Sequence, residues 1–171
     1  MARPRFHTLA TAPLAWALYH RWGGPAALGA VATGTLVDLD HLVDYLLTRL
    51  RGARSHYFAP LHGWELALAI SVLALLAERA AAADIGLPDK LARRRGLAGA
   101  LGRAGGAGLL AGLGAGLWLH LVQDLLTNRP AHAGVYALTY RLRHGFKREA
   151  TGWGNHSDFH WWSDKPWYRW F

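Results

Sequence analysis

Cysteine is absent from the 171-residue chain, so disulfides and thiolate ligands are both excluded, and any metal must be held by imidazole and carboxylate. The redox compartment is thereby unreadable. Acidic residues are scarce as well, 11 against 19 Lys plus Arg, giving a formal charge of +8 and a pI near 10.4. That surplus favours an anionic partner, and phospholipid headgroups or nucleic acid both qualify. No apolar run reaches the about 20 uninterrupted residues that a spanning helix normally needs, and the mean hydropathy is only +0.06. Several catalytic signatures are missing too: the His-Asp dipeptide of HD-type phosphohydrolases, His-Glu-x-x-His, Gly-x-Ser-x-Gly and the phosphate-binding P-loop. Those routes are closed.

What is present is apolar and basic. At 52% hydrophobic the chain has material for one core, and two packed domains are not expected. The basic residues gather in short clusters at segment ends (Arg3 and Arg5; Arg49, Arg51 and Arg54; Arg93, Arg94 and Arg95) rather than along one helix face. Such a collar suits a membrane better than a nucleic-acid groove. The 9 Trp fall mostly near segment ends, at Trp16, Trp22, Trp64, Trp118 and from Trp153 to Trp170, as an interfacial belt or as ordinary packing residues. No cleavable signal peptide is expected, because His7, Pro13 and His20 interrupt the apolar stretch after Arg5.

Four helical segments can be drawn. The first runs from Phe6 to His20 and stops at Trp22-Gly23-Gly24-Pro25, where Gly ends one helix and Pro opens the next. The second continues from Pro25 to Leu50, cleanly apolar only as far as Val37. The third opens near Pro60 and carries the apolar stretch Leu66 to Ala77. The fourth, Gly96 to Thr127, would be weak in water, but Gly108, Gly112 and Gly116 at four-residue spacing suit close helix packing in lipid. The expectation is an all-α, antiparallel, membrane-embedded bundle of about four helices over residues 1–130. Residues 131–171, with His156, His160 and a run of Trp, read as a basic, aromatic surface lobe or cap rather than a fifth span.

Chemistry concentrates at three places. His120 and Asp124 are four apart on a helix and share a face, so they can bind one ion together, although a lone His on an apolar helix is more often a core residue. Asp38, Asp40, His41 and Asp44 crowd the end of the second helix. Unpaired charge there is costly, and a bound cation would offset it. In a regular helix Asp38 and Asp40 point nearly opposite ways, so either the helix bends or the two serve different roles. His56 and the His62/Glu65 pair lie near the start of the third helix, with a first-turn role as the plain alternative for Glu65. If the four segments alternate in direction, the start of one, the end of two, the start of three and the end of four share a level. His7, Asp38, Asp40, His41, His62, Glu65, His120 and Asp124 occupy those positions. Histidine and carboxylate without thiolate suit zinc, with manganese or iron not excluded, and more than four ligands leave room for two ions.

Gly34-Thr35-Leu36-Val37-Asp38-Leu39-Asp40-His41 resembles the Gly-x-Leu-x-Pro-Asp-x-Asp-His signature of the YdjM-like, membrane-bound, metal-dependent hydrolases. His120-Leu121-Val122-Gln123-Asp124-Leu125-Leu126-Thr127 is similar to their His-x-x-x-Asp-x-x-Thr segment, and His7 and the His56 to His62 region match more loosely. The resemblance covers residues 5 to 130. That family is similar in turn to zinc-dependent phospholipase C and the single-strand nucleases, which implies phosphoester hydrolysis. Val37 departs from the pattern by standing where proline is usual, which puts joint ligation by Asp38 and Asp40 in question.

The leading expectation is a multi-pass inner-membrane hydrolase acting on an anionic phosphoester such as a phospholipid headgroup. His7, Asp38, Asp40, His41, His56, His62, His120 and Asp124 supply the ligands, metal-activated water attacks, and Glu65 or Asp40 is the general base. A cytoplasm-facing site is favoured, on a narrow charge asymmetry. The alternative from another class is a non-enzymatic membrane protein that uses the cluster for structure or for ion or proton passage. A soluble nucleic-acid phosphohydrolase is a weaker third reading.

Overall fold

A computed structural model describes residues 4–43, 46, 58–84, 105–128 and 133–147. Within them the chain is an all-α bundle. Helix α1 spans Pro4–Trp22 and α2 spans Gly24–Leu36, joined at Gly23 alone. A reversal that tight requires φ of +80° at Gly23, where its N–H closes on the Tyr19 carbonyl at 2.8 Å. Pro25 then sits in the first turn of α2, where its missing N–H costs nothing. The α2 helix tightens into a 3-10 turn, Val37–Asp40, and residues 41–43 continue as helix. Helix α3 is Trp64–Asp84, α4 is Gly106–Asn128, and a 3-10 turn, Ala133–Tyr136, leads into the short α5, Leu138–Arg143.

The expected four segments are therefore present, with shifted edges. Pro60 lies in a turn and α3 begins only at Trp64. The part of the fourth segment before Gly105 lies outside the described residues, as do His56, Asp44, residues 148–171 and with them His156 and His160.

Helix α2 packs along both α1 and α4, and α3 packs on the other side of α4. The α2/α4 contact is made by small residues, as the four-residue glycine spacing foretold. A Cβ added at Gly112 would lie 1.9 Å from the Ala26 carbonyl oxygen, and one at Gly116 would lie 2.4 Å from that of Ala30. Backbone meets backbone there, so α4 lies directly against α2. Helix α1 crosses α2 with equal closeness at Gly34, where a Cβ would meet Thr11 Oγ1 at 2.3 Å.

The buried apolar residues form two modest clusters. One joins Val37, Ala59, Ala67, Leu117, Leu121, Val135 and Tyr136; the other joins Ala15, Leu18, Ala26 and Ala30. Val135 and Tyr136 bring the 3-10 turn Ala133–Tyr136 into the bundle core. Many large apolar side chains face outward, among them Leu9, Trp16, Leu28, Leu68, Leu73, Leu75, Leu76 and Leu126. Two helical stretches, Gly24–Val43 and Gly106–Thr127, are long and apolar enough to cross a membrane. Neither is an uninterrupted apolar run; of their polar residues Asp40, His41, His120 and Asp124 are buried, while Thr35, Asp38 and Gln123 are half-buried.

Candidate metal centre

Each ligand-bearing side chain reaches the same end of the bundle from a different element. His7 projects from the first turns of α1, Asp38 and Asp40 from the 3-10 turn after α2, His62 from the stretch before α3, and His120 and Asp124 from the last turns of α4. Their convergence requires that α1 to α4 run in alternating directions. His7, His62 and His120 are fully buried, and Asp40, His41 and Asp124 nearly so.

Four atoms define the centre: one oxygen each of Asp38 and Asp124 and the Nε2 atoms of His62 and His120, all within 4.8 Å of one another. His62 Nε2 lies 3.0 Å from His120 Nε2, 3.4 Å from Asp38 Oδ1 and 3.4 Å from Asp124 Oδ2. His120 Nε2 is 3.4 Å from Asp38 Oδ1 and 3.7 Å from Asp124 Oδ2. Ligands bound tetrahedrally at zinc distances stand about 3.4 Å apart. The observed separations bracket that value.

The opposite nitrogens explain why this spacing calls for a positive charge. His120 Nδ1 is 3.3 Å from the Gly34 carbonyl, which can only accept, so Nδ1 carries the hydrogen and Nε2 of the neutral ring carries a lone pair. His62 Nδ1 is likewise held by Asp40, at 2.9 Å from Oδ1 and 3.1 Å from Oδ2. Two lone pairs 3.0 Å apart repel unless a proton or a cation lies between them. Three carboxylates beside them, Asp40 and Asp124 buried and Asp38 half-buried, add to the demand. Burial alone would lower the His62 pKa, but hydrogen bonds to Asp124, Asp38 and Asp40 outweigh it and raise it well above the ordinary value. A divalent cation answers the same need at the same place.

A second position adjoins the first. His7 Nδ1 meets Gln123 Oε1 at 2.7 Å, and its Nε2 turns toward Asp124 Oδ1 at 3.4 Å and Asp38 Oδ2 at 3.9 Å. His7 Nε2 and Asp38 Oδ2 are buried and have no hydrogen-bond partner among the described residues. Both carboxylates thus offer one oxygen to the His62/His120 pair and the other to His7.

The question left by Val37 is resolved by the 3-10 turn. At 3.0 residues per turn, side chains two apart diverge by about 120° rather than the about 160° of an α-helix. Asp38 and Asp40 consequently straddle one imidazole, Asp38 at its Nε2 and Asp40 at its Nδ1. Asp40 also accepts the Leu61 N–H at 2.8 Å, and so orients His62 from behind. It forms a second buried grouping with His41 and His62. His41 Nε2 stands 3.7 Å from Asp38 Oδ1, at the margin of the main cluster.

Asp40→Asn keeps the shape but removes the charge behind His62. Metal affinity is expected to fall about 10- to 100-fold, read by competition with a chelating indicator.

Glu65 is engaged elsewhere. Its carboxylate accepts the N–H groups of Leu138 and Thr139 at 2.8 and 2.9 Å and the Thr139 hydroxyl at 2.6 Å, capping the N-terminus of α5. Glu65 therefore serves helix docking, and neither ligand grouping includes it. Partial burial raises its pKa, but those donors outweigh it and hold the group at about 2. A depressed pKa means that its contribution is present above the ordinary value of 4.5 and fades as pH falls toward 2. Both Glu65→Gln at neutral pH and acidification across that range should lower the protection of the Leu138 and Thr139 amides, read as exchange relative to the intrinsic rate at each pH.

Two residues escaped the sequence reading. Gln123 lies inside the His120/Asp124 segment, and its spacing from His120 gave no sign that it would face α1. Arg141, a cation in a basic stretch, looked like surface charge and is buried. Comparison with family models, with curated proteins and with solved structures gives no match to this chain.

Proposed function

We propose that the protein is a membrane-bound, metal-dependent hydrolase of phosphoesters, with phospholipid headgroups as the favoured substrate class. The observation that carries this reading is the set of Asp38, His62, His120 and Asp124 atoms at ligand spacing, each imidazole held through Nδ1 so that Nε2 faces inward. These four would hold one ion, of zinc, manganese or iron, and His7 with the far oxygens of Asp38 and Asp124 would hold a second. A divalent ion supplies Lewis acidity, which stabilises charge on a phosphoester and acidifies water. The chain's own part is to present Nε2 lone pairs beside carboxylate oxygens and to leave an approach past Asp38, whose side chain is 17% exposed against 6% for Asp124. The resemblance of Gly34–His41 and His120–Thr127 to the YdjM-like hydrolases supports the same chemistry. Outward-facing leucines on α2 and α3, together with the two span-length helices, support placement in a bilayer. The charge of +8 would draw an anionic headgroup.

A specific observation favours a second reading. His41, His62, His120 and His7 form a row with ring centroids 4.6, 4.9 and 4.1 Å apart, the contiguity that a proton relay needs. The two readings separate on metal content. Detergent-purified protein should contain stoichiometric zinc, manganese or iron and should release headgroup phosphate from phospholipid or a chromogenic phosphodiester, with chelator abolishing both. Protein free of metal that conducts protons in liposomes would overturn the hydrolase reading.

A further inference from the structure

Three of the four described segments that bring a ligand candidate to the centre are helical; His62 comes from the irregular residues 58–63. That stretch includes Ala59 at φ +29°, a backbone conformation a non-glycine residue holds only when its surroundings impose it. A ligand on such a segment needs a restraint from outside.

Arg141 supplies one. It lies on α5, 79 residues further along the chain than His62, and is 1% exposed. One guanidinium nitrogen donates to the carbonyls of Phe58 and Ala59 at 2.5 and 2.7 Å, and another donates to the His62 carbonyl at 2.8 Å. Three carbonyls of one short stretch thus converge on a single planar group, which a lysine's point charge could not match. Helix α5 is itself fastened to the start of α3, by Glu65 at its N-terminus and by Trp64 Nε1 donating to the Ala133 carbonyl at 3.0 Å. His62 is therefore held twice, through its ring by Asp40 and through its backbone by Arg141.

We propose that Arg141 is a positioning residue for the metal centre: by gathering the Phe58, Ala59 and His62 carbonyls it sets the approach of His62 Nε2 to the ion. This rests on the metal-centre reading above. On that view, residues 133–147 form a brace whose docking sets metal affinity.

The test uses full-length protein in detergent with cobalt(II) as the probe, whose visible absorption reports ligand geometry. Arg141→Ala should weaken cobalt binding about 10- to 100-fold and shift the absorption band, with Arg141→Lys intermediate. In a His62→Ala background the Arg141→Ala change should have no further effect on affinity, because the residue acts through His62. Unchanged affinity in Arg141→Ala, or the same loss with and without His62, would overturn the proposal. Failure of the metal reading shows separately, as parent protein that binds no cobalt. Amide exchange at residues 61–63 of metal-free protein then decides on Arg141: faster exchange in Arg141→Ala supports the brace, and unchanged exchange overturns it.

Discussion

His62→Ala is expected to yield protein without stoichiometric metal, with affinity falling by more than the about 10- to 100-fold typical of losing an outer partner. Both ring nitrogens of His62 are engaged at the cluster: one faces His120, Asp38 and Asp124 while the other binds Asp40. Its removal leaves three carboxylates facing a void at a buried site. His120→Ala and Asp124→Ala should lose metal as well. His144→Ala should not, since His144 is exposed on the short turn after α5, with Nδ1 near the Tyr140 carbonyl at 2.9 Å. Elemental analysis of the four purified variants makes the comparison, and equal retention of metal in all of them would remove the ligand assignments. Alanine at His62 also takes away a positive charge carrier, so its melting temperature in chelator separates lost binding from lost folding.

Gly112→Val should have the largest effect on the bundle itself. The added Cβ would lie 1.9 Å from the Ala26 carbonyl oxygen and 2.7 Å from the Ala26 carbonyl carbon, and neither is the yielding end of a side chain. Relief requires α2 and α4 to separate along their whole contact, which overpacking costs place at about 3 kcal/mol or more. Because α2 leads into Asp38 and α4 carries His120 and Asp124, the same separation should pull the centre apart. A detergent melt and a metal titration on one sample should therefore fail together. Gly145→Val offers the contrast in packing, since no heavy atom lies within 4 Å of its Cβ position, although its φ of +62° adds local strain. A Gly112→Val protein with parental melting temperature would refute the close α2/α4 contact.

Much of this was legible in the chain. Proline and glycine punctuation placed the α1/α2 junction, because only glycine takes the left-handed backbone at Gly23 and proline suits the turn that follows. The four-residue glycine spacing announced a close helix contact for a similar reason, and the fold made α2 the partner. His120 and Asp124 were readable as a pair because helix periodicity alone puts them together. That Val135, Tyr136 and Arg141, inside the stretch read as a lobe or cap, are buried was not legible, since they carry no periodic signal in so short a segment.

The division between Asp38 and Asp40 could come only from the tertiary structure. By sequence both were ligand candidates; the tightened turn after α2, and the His62 ring wedged between them, gave one the inward nitrogen and the other the outer one. The same holds for Glu65, which its place three residues after His62 offered as a base and which in the fold binds the N-terminus of α5. The sequence by itself determined the helices and which of their ends carry polar groups, because these follow from local periodicity and chain punctuation; that the helices alternate, and so bring those ends together, was a supposition until the fold showed it. Only tertiary structure decided what each polar group touches, because that depends on partners 20 to more than 100 residues away, such as Asp40 with His62 and His7 with Gln123.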